Sequence, residues 1–236
     1  MLTQSHSLGA LDLAEGLRLA MRRVYLWMAI GLFVTAGVAL AVVSSEPLLR
    51  LILLNRAVFF GLLIGEFVVV LTLSALVNRM SPAMAALVFF FYAALNGATM
   101  SVIFLVYTSS SIAFSFFAAG AMFAAMSIVG YTTQTDLSKF GSLLFMGLIG
   151  LIVASVINLF LASSLLYWII SYVGIALFVG LTAYDTQWIK NATARALTAG
   201  DTQLEGRVGV MGALRLYLDF INLFLMILRV AGGRRR

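Results

Sequence analysis

The sequence has no cysteine, a single histidine, and charge on only 10% of its 236 residues. Without cysteine, a disulfide framework and a thiolate metal site are excluded. The one histidine, His6, lies in the polar N-terminal stretch. That excludes a histidine metal cluster, a buried histidine relay and the chemistry of a zinc intramembrane protease. The only lysines, Lys139 and Lys190, fall between apolar segments, so no lysine lies deep in the last span to hold a retinal. Nucleotide-binding and serine-hydrolase signatures are absent. The net charge of +6 does not point to nucleic acid. The basic residues sit mainly at segment ends and termini, where they orient a membrane protein and meet anionic headgroups.

Apolar residues make up 63% of the chain, and its mean hydropathy is +1.08. A soluble domain is far more polar. The composition predicts one polytopic all-α membrane domain, embedded in a lipid bilayer. No cleavable signal sequence is evident, and the first span is expected to act as an uncleaved anchor.

A spanning helix needs about 20 apolar residues. Seven segments meet this: 24–43, 57–77, 83–107, 111–133, 142–162, 165–184 and 208–228. They define a seven-helix transmembrane domain over 24–230, preceded by a leader over 1–23 and followed by a basic tail over 231–236. In the leader, Asp12, Glu15, Arg18 and Arg22 recur at helical spacing around Leu13, Leu17 and Ala20, predicting either a short amphipathic helix at the cytoplasmic interface or a solvated leader to the first span. The longest connection, Lys190–Arg207, is polar and is expected to be a loop. Gly61 with Gly65, and Gly147 and Gly150 with Ala154, are spaced for close helix packing. Arg18, Arg22, Arg23, Arg79, Lys139, Lys190, Arg195 and Arg207 fall on one side and Arg50 and Arg56 on the other, which predicts a cytoplasmic N-terminus. Arg234–Arg236 run against this rule, because seven spans put them outside.

Two aspartates interrupt the last two spans: Asp185 in Gly180-Leu-Thr-Ala-Tyr-Asp-Thr-Gln187, and Asp219 in Leu216-Tyr-Leu-Asp-Phe-Ile-Asn222. An ionised carboxylate in hydrocarbon costs several kcal/mol, so such residues face a bundle interior, find partners and serve a function. Asp185 lies roughly 7 Å of helix from Lys190, and Asp219 about 12 Å from Met211, at 1.5 Å per residue. Adjacent helices would bring them together. Two carboxylates at hydrogen-bond distance in a poor dielectric share one proton. Fully deprotonated, they form an oxygen-rich site suited to calcium. Protons and calcium would then compete.

Other polar residues frame this pair. Arg215 and Asn222 share the helix face of Asp219. Arg215 is a rival counter-ion, and Asn222 is a donor to the carboxylate or an oxygen ligand. Thr182, Tyr184 and Tyr217 are candidate hydrogen-bond partners. Glu66 is intramembrane too, with a role in ion passage or in packing. Arg79 either latches to Asp185 or snorkels to the interface. Asn96 and Asn158 are expected to bond between helices. An aspartyl intramembrane protease also needs two aspartates, but Asp219 lacks the glycine-leucine-glycine-aspartate context of presenilin-like enzymes.

These motifs, with Tyr131-Thr-Thr-Gln-Thr-Asp-Leu-Ser138, resemble the Bax inhibitor-1 family, also called the transmembrane Bax inhibitor motif family. The resemblance runs from Met21 to Arg236 and is greatest to the bacterial inner-membrane branch. It implies a seven-helix bundle with the last helix central. It also implies a pH-sensitive calcium leak, without enzymatic activity or a cofactor, in which Asp185 and Asp219 sense protons. In the family an arginine of the second helix engages the sixth-helix aspartate in the closed form, and Arg79 is the nearest candidate. Glu66 would lie along the ion path. Eukaryotic members restrain cell death, a pathway a bacterial member lacks. Some bacterial relatives interact with a membrane-anchored protease, which implies an alternative role as a non-transporting modulator of a protease or stress response.

Overall fold

The computed structural model describes residues 2–233, with side chains described for 12–52 and 54–233. His6 and Arg234–Arg236, used above in the arguments on metal chemistry and orientation, lie outside the described side chains. The described residues form α1 (Leu2–Ser44), α2 (Glu46–Leu49), α3 (Arg56–Leu76), α4 (Pro82–Met100), α5 (Ile103–Val106), α6 (Ser109–Thr132), α7 (Gly141–Leu161), α8 (Ser164–Ala199) and α9 (Thr202–Ala231). A π-helical turn (Arg50–Leu54) and two 3₁₀ turns (Val77–Arg79, Leu137–Phe140) join some of them. Seven helical segments are long and apolar enough to cross a membrane, as the sequence predicts.

Capping side chains choose several helix starts. Asn55 accepts from the backbone N–H groups of Ala57 and Val58 ahead of α3. Ser81 accepts from Met84 N, with Pro82 in the first turn of α4, and Thr108 accepts from Ser111 N at α6. Each such cap is worth about 1 kcal/mol.

Two expectations are corrected. First, the leader is not a separate interfacial helix. α1 runs unbroken from Leu2 to Ser44, about 64 Å at 1.5 Å per residue, longer than a bilayer is thick. Ala20, Met21 and Val24 are buried across the expected boundary, so packing continues through it. Second, 190–207 is not a loop. α8 continues to Ala199 and α9 starts at Thr202. The segment after Lys190 is rich in alanine, a strong helix former, and Ala192 and Ala196 are buried. Gly200 alone adopts the left-handed conformation that stops α8 (φ 65°), and Asp201 caps α9 by accepting from Leu204 N at 2.9 Å. The span read at 83–107 is present as Pro82–Val106, with a turn at Ser101–Val102 separating α4 from α5.

The chain divides into two compact units. One comprises the residues up to Ile103 with Ile189–Tyr217; the other comprises Phe104–Trp188 with the chain from Leu218 onward. In the first, α1 packs along α4. A Cβ on Gly97 would fall 2.5 Å from the Thr35 carbonyl oxygen, so glycine is what lets these backbones touch. Phe89 and Tyr217 are fully buried and meet edge to face at 5.6 Å. Residues 12–23 of α1 pack on the α8 extension, where a Cβ on Gly16 would lie 3.4 Å from Leu197. Nearby, Arg23 pairs with Glu205 at 3.5 Å.

In the second unit, Gly130 of α6 lies against the Ala183 backbone of α8, with no room for a Cβ between them. Phe220 of α9 meets Phe116 and Phe123 of α6 edge to face at 5.2 and 5.7 Å. By contrast, Gly61, Gly65 and Gly150, read from the sequence as packing residues, have open space where a Cβ would stand. A small-residue spacing marks a possible close approach, and the approach occurs only where a neighbouring backbone arrives. α9 is the most buried span, 72% against 6% for the α7 span, the burial expected of an inner helix.

Candidate functional site

Asp185 lies on α8 and Asp219 on α9, both in the second unit and both buried, at 7% and 4% exposure. α6 packs against both neighbourhoods. Gly130 touches Ala183, two residues before Asp185, and Phe123 touches Phe220, the residue after Asp219. Gly130 and Phe123 lie seven residues apart, two turns of one helix face. Ser127 lies between them on that face; its hydroxyl is buried and has no hydrogen-bond partner among the described residues.

The stretch after Asp185 is clasped by the α6–α7 connection. The Gln187 amide donates to Thr135 O at 2.9 Å, and its oxygen accepts from Leu137 N at 2.7 Å. Both partners belong to Tyr131–Ser138, so two of the three motifs singled out from the sequence are joined through one amide. Asp136 caps the 3₁₀ turn there, and hydrogen bonds from Ser138, side chain and then backbone, hold its carboxyl below the usual range.

Arg215 is half-buried, one helical turn before Asp219 along α9. Asn222 donates its amide to Leu218 O at 2.8 Å, so that donor is spent within α9 and its oxygen is the group left for another role. The Thr182 hydroxyl donates back to Phe178 O at 2.7 Å. The Tyr184 hydroxyl lies where a Cβ on Gly141 would come within 2.7 Å. Arg79 ends its 3₁₀ turn exposed. Among the described residues, no three of the acidic, histidine and cysteine side chains gather into a metal cluster. Calcium takes six to eight oxygens, so a cation held by the two aspartates would complete its shell with carbonyls, hydroxyls or water.

Glu66 anchors a second buried polar assembly, in the first unit. Its carboxylate accepts from Thr99 Oγ1 at 2.6 Å and from Asn96 Nδ2 at 3.3 Å. Asn96 Oδ1 in turn accepts from the Tyr217 hydroxyl at 3.2 Å, and that hydroxyl lies 2.6 Å from Thr35 Oγ1. Thr35 also contacts the carbonyls of Gly31 and Ala93. A chain of hydrogen bonds thus links α3, α4, α9 and α1. The expectation that Asn96 bonds between helices holds. That for Asn158 does not: its oxygen accepts from Ser163 N at 3.0 Å, closing the end of α7, where Ala162 turns left-handed. Tyr217 joins this assembly, two residues from Asp219.

Thr99, Thr35 and Gln187 were not singled out from the sequence. Thr99 carries a usable signal, three residues after Asn96 on the same helix face. Thr35 carries none, because its partners come from distant helices.

The comparisons with known proteins agree with these motifs. The family model described as inhibitor of apoptosis-promoting Bax1 matches residues 17–236. The inner membrane protein YbhL of Escherichia coli K12 is 47% identical over 220 residues, covering 93% of this chain and 94% of its own. A Borreliella burgdorferi protein is 42% identical over 90% of this chain and 91% of its own. A Rickettsia prowazekii protein is 42% identical over 94% of this chain and 92% of its own. Seven apolar helices, buried aspartates on the last two and a family match over nearly the whole length agree: the chain belongs to the Bax inhibitor-1 family.

Proposed function

We propose that this protein is a pH-sensitive calcium leak of the inner membrane, a multi-pass protein with a cytoplasmic N-terminus, conducting without catalysis or a cofactor. The observation that carries the reading is the burial of Asp185 and Asp219 within apolar helices of one compact unit. Buried carboxylates in a membrane protein bind protons or cations, and two of them acting together do so competitively. Lowering the pH protonates the pair and weakens its hold on calcium; raising it restores an anionic, oxygen-rich site. Arg215, one turn before Asp219 along the same helix, is the basic group that would compensate its carboxylate when no cation is bound. Glu66, with its hydrogen-bonded chain to α9, would be a second polar station for the ion. The inner membrane assignment draws on the similarity to the Escherichia coli inner membrane protein YbhL.

Reconstitution into calcium-loaded liposomes tests the reading. Efflux from wild-type vesicles should vary with pH, and Asp185→Asn or Asp219→Asn should flatten that profile. A wild-type profile that is flat from pH 5 to 8 would remove the basis for a sensor.

A second reading is favoured by one observation. The α1 and α8 extensions, joined at Gly16 and Leu197, form an ordered polar surface beyond the apolar spans. Such a surface suits a non-transporting protein that modulates a membrane-anchored protease or a stress response. Substituting the exposed Asn191, Arg195 and Thr198 with glutamate should then abolish co-purification of a protease partner while leaving calcium flux intact. Unchanged co-purification would count against this role.

A further inference from the structure

The second unit contains a cavity of about 620 Å³ that plays no part in the reading above. It is bounded by α7, the start and middle of α8 and the end of α9, with Leu148 and Leu159 at the two ends of its α7 wall. Its volume is that of a small-molecule site. We propose that it binds an anionic phospholipid, with the phosphate at Arg229 and an acyl chain along α7.

Charge is the first argument. Arg229, in the last turn of α9, is half-buried and faces the cavity. Its guanidinium lies 6.0 Å from the centre of the Tyr167 ring and forms no ion pair among the described residues. The planar fork of an arginine suits a phosphate, which it can bind through two hydrogen bonds.

The shape of the cavity excludes a simple anion as the better fit. From Leu148 to Leu159 the α7 wall extends about 16 Å at 1.5 Å per residue. That matches the depth of one leaflet, half of a hydrocarbon core about 30 Å thick. Ile152 and Leu159 are half to four-fifths exposed, so this wall opens sideways towards the lipid rather than into water. Several of the cavity's polar groups are engaged by hydrogen bonds close to their own helices. Ser155 donates to Leu151 O at 2.7 Å, Asn222 donates to Leu218 O at 2.8 Å, and Asn158 accepts from Ser163 N at 3.0 Å. The rest of the α7 lining is Leu148, Leu151, Ile152, Val156 and Leu159, so it forms an apolar wall, and the cation stands near the helix ends, where a headgroup lies. A free phosphate would use the cation and waste the wall; a phospholipid uses both.

The full chain, delipidated in mild detergent, tests this by titration with dioleoylphosphatidylglycerol and native mass spectrometry. Dioleoylglycerol serves as the uncharged lipid, and inorganic phosphate and glycerol phosphate as chainless anions. Wild type should bind the phosphatidylglycerol saturably. Arg229→Gln should weaken it by about tenfold or more, with Arg229→Lys intermediate. Ile152→Trp, which fills the α7 wall from an exposed position, should weaken it similarly. Millimolar phosphate or glycerol phosphate should not displace the lipid, and dioleoylglycerol should bind far more weakly. Equal binding by Arg229→Gln or by dioleoylglycerol would overturn the proposal in favour of unselective annular lipid. Displacement by phosphate, or unchanged binding by Ile152→Trp, would overturn it in favour of an anion site alone. If Arg229→Gln fails to fold, the Arg229→Lys and Ile152→Trp arms decide by the same criteria.

Discussion

At the scale of single residues, the Tyr217 hydroxyl bridges Thr35 and Asn96 in a fully buried setting. Removing it leaves Asn96 and Thr35 without that partner, and an unsatisfied buried polar group costs about 1–3 kcal/mol. Tyr217→Phe should therefore lower the thermal unfolding temperature in detergent by several degrees; an unchanged midpoint would show that the network contributes nothing to stability. Asp136 makes a useful contrast because it lies outside the spans. Its carboxyl is held below the ordinary range by Ser138, so the stability it contributes is present above the unfolded value of 3.8 and is lost as pH falls through its lower folded value. Asp136→Asn should consequently change stability at neutral pH, with the change shrinking as the pH falls below 3.8, as followed by melting across that range. A flux response between pH 5 and 8 cannot originate there. Asn96 was legible from the sequence because an amide in an apolar span must find a partner. Glu66's own partners were not, since they depend on which helix lies beside α3 and in what register.

At the scale of elements, helix ends proved harder to read than helices. The spans follow from long apolar runs, but polarity after Lys190 was mistaken for a loop, when alanine content and burial carry α8 on to Ala199. Trypsin should thus cut slowly at Lys190 and Arg195 in the folded protein, whereas a protease cleaving beside Asp201 should find the break at Gly200–Asp201. Rapid tryptic cleavage at Arg195 would contradict a helical extension. Glycine spacing misled for a related reason: the pattern at Gly61 and Gly65 is present without a neighbour close enough to use it. Gly130→Ala should force α6 from α8 and destabilise the protein by about 1–3 kcal/mol, as overpacking does. Gly61→Ala, on open helix surface, should be neutral or slightly stabilising in the same melt.

At the scale of the whole molecule, seven apolar spans and family membership were both legible, because membrane thickness fixes span length and the aspartate motifs are specific. The two-unit division was not, because it separates residues within single helices: α8 between Trp188 and Ile189, α9 between Tyr217 and Leu218. Asp185 and Asp219 both fall in the same unit, where a shared proton would make them one titrating group. Calcium efflux from proteoliposomes as a function of pH, compared among wild type, Asp185→Asn, Asp219→Asn and the double variant, measures that most directly. Coupled carboxylates predict that either single variant removes the pH dependence and that the double variant adds nothing further. Single variants that each keep about half of the response, with additive loss in the double, would contradict a shared proton.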